Sequence, residues 1–77
     1  MDPINAIYKG TIKGKLLGFK NSYAIFEFAA GQKWRQNENK YLHQYLYNPE
    51  AQIIFKDDKY YLEVKGISET VEVRRIK

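Results

Sequence analysis

The chain has no cysteine. No disulfide can staple it, and no thiolate can hold a metal. A small domain without staples fits a reducing compartment, so a cytoplasmic location is expected. Histidine is nearly absent too, with His43 the single one. Nucleophilic catalysis needs a base beside the nucleophile. The hydroxyls Thr11, Ser22, Ser68 and Thr70 fall in turns or at strand ends, and no nucleophile–base–orienter set is visible. A non-enzymatic role with no catalytic residue is therefore expected. Asp57 and Asp58 adjoin, but no further ligand has regular spacing to them. No metal site and no cofactor are expected. Residues 1–5 lack the basic and apolar stretches of a signal peptide. No apolar run approaches the ~20 residues of a membrane span.

Helix signals are scarce. Asp2 could cap and Pro3 could open one short N-terminal turn, with Ile4 sharing a face with Ile7 or Tyr8. Lys9 and Gly10 would end it.

What the chain has in quantity is aromatic residues: seven tyrosines, four phenylalanines and one tryptophan. Aromatic and β-branched residues favour strands. Seventy-seven residues make one domain, 1–77. A chain of that size buries only about 60% of its unfolded surface, so no deep substrate cavity is expected. The net charge of +4 favours polyanions only mildly, and the bases are scattered. Solubility is the plainer reason for them.

Strand-like runs follow one another. Thr11–Leu17 is interrupted by Gly14, at a bulge or a tight bend. Gly18–Ser22 reads as the first turn. In Tyr23–Phe28, Tyr23, Ile25 and Glu27 alternate with Ala24, Phe26 and Phe28. Ala29–Gln32 is a turn in which Gly31 is free to take positive φ. Lys33–Gln36 is a short strand centred on Trp34, and Asn37–Lys40 is turn-like. Pro49 ends the next strand, Tyr41–Tyr47, because proline has no ladder donor. Ala51–Phe55 and Tyr60–Val64 flank a hairpin turn at Lys56–Lys59. Thr70–Ile76 closes the chain. Turns every 8–12 residues predict a small barrel or sandwich.

Four pieces of this pattern carry a resemblance. They are Gly31-Gln32-Lys33-Trp34-Arg35-Gln36, the tyrosine row Tyr41–Tyr47 ending in Asn48-Pro49, and Tyr60–Gly66 followed by Val71–Ile76. Together with Lys9–Gly14 and Gly18-Phe19, they resemble a family of small bacterial proteins of unassigned function. Ala30, His43 and Phe19 depart from that pattern, which has asparagine, tyrosine and tryptophan there. The resemblance implies an all-β fold: a small SH3-like or OB-like barrel of five to six short antiparallel strands, with at most a short N-terminal helical turn. It transfers no catalytic residues.

The tyrosine row is the most informative stretch. Side chains alternate along a strand, so Tyr41, His43, Tyr45 and Tyr47 share one face while Leu42 and Leu46 share the other. Leucine has no hydroxyl to satisfy in a small core, so the leucines are expected inward and the aromatic row outward. Trp34 reads as a core anchor with Lys33 and Arg35 facing solvent. The alternative is a stacking ring flanked by cations. At the C-terminal end, parity puts Arg74 with Glu72 and Ile76, while Arg75 falls on the valine face. That end is either a phosphate clamp or a pair of surface cations.

The candidate partner-binding residues are thus Tyr41, His43, Tyr45, Tyr47, Arg35 and Arg74. A protein partner or a second copy of the chain is favoured, because the positive charge is modest and unclustered. Single-stranded nucleic acid is the alternative, since such binders combine stacking faces with basic residues. A membrane partner is not expected. Lysines and arginines on the same surface as the row would favour nucleic acid, and an apolar surround would favour protein.

Overall fold

The computed structural model describes residues 6–20 and 23–77. Those residues form eight strands, more than the five to six expected, and no helix. They are β1 (Ala6–Thr11), β2 (Lys15–Phe19), β3 (Ile25–Glu27) and β4 (Lys33–Gln36), then β5 (Leu42–Tyr47), β6 (Glu50–Lys56), β7 (Lys59–Val64) and β8 (Thr70–Arg75). The helical turn expected at the N-terminus is corrected in part. Ile7 and Tyr8 lie in strand β1, where Tyr8 packs edge-on against Phe28 at 4.9 Å. Asp2, Pro3 and Ile4 lie outside the described residues.

Six strands make an antiparallel sheet in the order β1-β6-β7-β8-β4-β3. The other two, β2 and β5, pair with each other. The run expected as one strand, Thr11–Leu17, is therefore two, one in each sheet. Gly14, at φ 76°, sits at the corner between them. The return crossing, from β5 to β6, lies beside it at Asn48, φ 48°. The corners lock together: Gly14 N donates to Asn48 Oδ1 at 2.7 Å, and Asn48 N donates to Gly14 O at 2.8 Å. Asparagine tolerates this left-handed region because its short side chain hydrogen-bonds locally.

Gly18 and Phe19, expected in a turn, belong to β2. Leu16 and Phe19 are both buried although three residues apart, an odd separation that regular alternation forbids. A register shift between Leu16 and Gly18 resolves it, with Gly18 at φ 95°. A Cβ there would stand 1.9 Å from the Leu42 carbonyl oxygen. Only glycine lets the two backbones approach so closely.

One buried apolar cluster lies between the sheets. The large sheet gives it Phe26, Trp34, Ile53, Leu62, Val71 and Val73; the small one gives Leu16 and Phe19, with Leu42 and Leu46 packed against it. Trp34 is 2% exposed, as expected of a core anchor, and its indole Nε1 donates to Gln32 Oε1 at 3.0 Å. Gly31 takes φ 105°, and Asp57-Asp58 make a two-residue hairpin with both φ values positive. That is the geometry of a type I′ turn, which matches the twist of its strands.

The large sheet does not close into a barrel. Its edge regions meet at one isolated bridge, Ile12 with Phe28, flanked by Lys13 N to Glu27 O and Ala29 N to Thr11 O, each 2.8 Å.

Candidate functional site

The tyrosine face is built by β5 on β2. Leu42 and Leu46 turn to the core, paired with Phe19 and Leu16. Alternation then drives the aromatic row outward: Tyr41, Tyr45 and Tyr47 are 73%, 57% and 66% exposed, and His43 is exposed beside them. Within β5, residues two apart stand about 6.7 Å apart. That is roughly twice the 3.4 Å step of stacked bases.

The partner strand sets the electrostatics. Lys15 lies directly across from Tyr47, and Gly18 lies across from His43. Gly18 has no side chain to cover the histidine, which is exposed. Lys13, Lys15 and Lys20 are exposed along or beside β2, and Leu17 is partly exposed among them. Neither strand contains a carboxylate, nor does any residue in 3–26 or 39–49. The face is therefore aromatic and cationic without internal neutralisation.

Gln36 positions this face, and the sequence reading passed over it. It is fully buried, the only polar side chain so placed among the described residues. Its Nε2 donates to Glu38 O at 2.9 Å and Lys40 O at 2.7 Å. Its Oε1 accepts from Lys20 N at 3.0 Å. One amide thus holds the end of β2 and the lead into β5, the two chain segments that meet at the Phe19–Leu42 pair. A signal was available: strict alternation puts Gln36 on the Trp34 face. Glu38 completes the corner by accepting from Glu72 N at 2.6 Å.

Arg35 and Arg74 are not part of the tyrosine face. They lie on the large sheet as a directly opposed pair between β4 and β8. Arg35, expected in solvent, is half-buried, as is Lys33, and the Arg35 Nε is buried without a hydrogen-bond partner. Arg74 and Arg75 are both exposed. Arg75 lies across from Trp34 yet escapes the core because β8 ends there, and its Nε donates to Lys77 O at 3.3 Å.

A groove of about 680 Å³ runs over β1, β6 and β7. Four of its polar groups satisfy one another in pairs: Gln52 Nε2 donates to Glu63, and Lys65 pairs with Glu50 at 3.4 Å. Among the described residues, no group of three or more His, Asp or Glu side chains is gathered to hold a metal. No helix there is long and apolar enough to cross a membrane. No family model matches the chain, and no curated protein or solved structure was found similar to it.

Proposed function

We propose that this protein is a non-enzymatic interaction module that binds single-stranded nucleic acid on the tyrosine face of β2 and β5. The observation that carries the reading is the composition of that face. Exposed Tyr41, Tyr45 and Tyr47 share it with Lys15, Lys13 and Lys20 lie at its margin, and neither strand has a carboxylate. Charge alone leaned toward a protein partner. The lysines beside the row now favour the nucleic-acid alternative. Base stacking on such rings contributes about 1–3 kcal/mol per base and tolerates any sequence. The lysines neutralise phosphates, so the affinity falls as salt rises.

Replacing Tyr45 and Tyr47 together by serine tests this. Binding of a labelled mixed-sequence single strand, followed by anisotropy, should weaken by about tenfold or more. Circular dichroism should show an intact fold. Unchanged affinity in the folded variant would refute the reading.

Self-association is the second reading, and one observation favours it. The small sheet has only two strands, so β2 and β5 each leave a ladder edge unpaired by any described strand. Such edges accept a further strand. Light scattering that reports a dimer, lost in a variant with proline at Tyr45, would favour this reading over the first.

The fold fits an opened SH3-like barrel, a reading supported by the Ile12–Phe28 bridge between the two ends of the large sheet. The Gly31–Gln36 segment, which carries the resemblance to the small bacterial family, has two architectural glutamines. Gln32 receives the tryptophan indole and Gln36 pins the tyrosine sheet.

A further inference from the structure

The outer face of the large sheet holds a feature that the tyrosine face does not use. Arg35 and Arg74 are directly opposed across β4 and β8. The register that pairs Tyr60 with Val73 sets Lys59 beside Arg74 on the next strand, β7. Alternation puts all three outward, because Trp34, Val73 and Leu62 point into the core. Three cations therefore stand in a row across three adjacent strands. Strand spacing makes the row about 10 Å long.

Like charges directly opposite one another destabilise a sheet. The usual remedy is an interleaved carboxylate, and here it reaches only Lys59, through Glu72. Neither Arg35 nor Arg74 forms an ion pair with a described residue. Glu72, on the same face as Arg74, accepts from Asn37 Nδ2 at 2.8 Å and pairs with Lys59 at 3.9 Å, so the carboxylate serves the lysine end of the row and leaves the two arginines without one. Repulsion between the two opposed arginines, neither of them ion-paired, points to an anion from outside the chain.

The geometry points to a contact site for the backbone phosphates of nucleic acid on the Lys59–Arg74–Arg35 row. Guanidinium forks match phosphate oxygens in pairs, and a row of cations suits a chain of phosphates better than one isolated anion. The site reads no base. It therefore accepts a duplex, whose base faces are closed to tyrosine stacking. That separates it from the proposed tyrosine-face function.

A short labelled duplex, titrated by anisotropy between about 50 and about 200 mM salt, tests the row. Three phosphate contacts predict a slope of log K against log salt near −2.7, from about −0.9 per contact. Arg35→Gln with Arg74→Gln should bring it near −0.9 and weaken binding at low salt about tenfold or more. Arg35 is half-buried, so Arg74→Gln alone, at an exposed position, serves as the second variant. It should lower the slope by about one contact. Tyr45→Ser/Tyr47→Ser should leave duplex binding unchanged while weakening single-strand binding. Failure of the tyrosine reading therefore looks different from failure of this one. The inference is overturned if the wild-type chain does not bind the duplex at low salt. It is equally overturned if the folded arginine variants keep the wild-type slope.

Discussion

Strands β4 and β5 follow one another in the chain and use their aromatics in opposite ways. In β4 the aromatic Trp34 is buried and its basic neighbours Lys33 and Arg35 lie on the outer face. In β5 the aromatics Tyr45 and Tyr47 are outside and the aliphatic Leu42 and Leu46 are inside. Each strand has a two-residue alternation that identifies two faces but not their direction. What decides is the neighbour each inner face meets. Trp34 lies across from Phe26 and within 5.4 Å of the Tyr60 ring, and its one polar atom is satisfied by Gln32. Buried tyrosines in β5 would each need a partner for the hydroxyl. Leucines need none. An aromatic strand thus becomes a surface when an aliphatic alternative shares the strand, and becomes core when its polar atom has a partner at hand.

This contrast depends on the small sheet staying docked, and Gly18 is where it breaks most readily. Gly18→Ala would drive a Cβ into the Leu42 carbonyl and strain a backbone at φ 95°. Strain and overpacking together should cost on the order of 4–6 kcal/mol. A domain this small holds roughly 3–5 kcal/mol. Circular dichroism should therefore find the variant unfolded at room temperature. A cooperative melt close to wild type would show that β2 does not approach β5 as described.

Trp34→Ala should cost about 3–5 kcal/mol, because it empties the largest side chain from the β4 inner face. The wild-type indole, the only one in the chain, should emit to the blue of free indole in water and resist quenching by iodide. Water-like emission would reverse the β4 half of the comparison and make Trp34 a surface ring.

Gln36→Leu keeps the volume of the side chain but removes its hydrogen bonds. It leaves Lys20 N–H, Glu38 O and Lys40 O without this partner, at a cost of about 1–3 kcal/mol. In a domain of this size that lowers the melting temperature by roughly 4–8 °C per kcal/mol. Hydrogen exchange should speed up first at Lys20, before the β6–β7 amides change. Uniform acceleration would mean that Gln36 supports the whole fold and not the docking of the small sheet in particular.

The smallest stability effect belongs to the face itself. Tyr45→Ser with Tyr47→Ser should lower stability by less than about 1 kcal/mol, since exposed positions contribute little packing. A loss as large as that of Trp34→Ala would mean the row is core, and the contrast between the strands would disappear.

Much of this was legible in the residues. The Lys33–Gln36 strand, the inward Leu42 and Leu46, the left-handed Gly31 and the Asp57-Asp58 hairpin follow from alternation and turn chemistry, which act over a few residues. The other features depend on contacts between distant residues. Nothing local says that Gly14 sends the chain into a second sheet, since its corner is closed by Asn48, 34 residues on. Nor does it say that Gly18 continues a strand, because its glycine is required by the Leu42 backbone. Gln36 looks like any surface glutamine until Lys20 and Lys40 converge on it. Arg35 and Arg74 lie 39 positions apart, and only the β4–β8 register opposes them. By itself the sequence determined an all-β chain with an aromatic row on one strand, because side-chain alternation and backbone preference are local properties. The tertiary structure alone decided which sheet each strand joins and which charges stand together, because register across a sheet is set by pairing between distant segments.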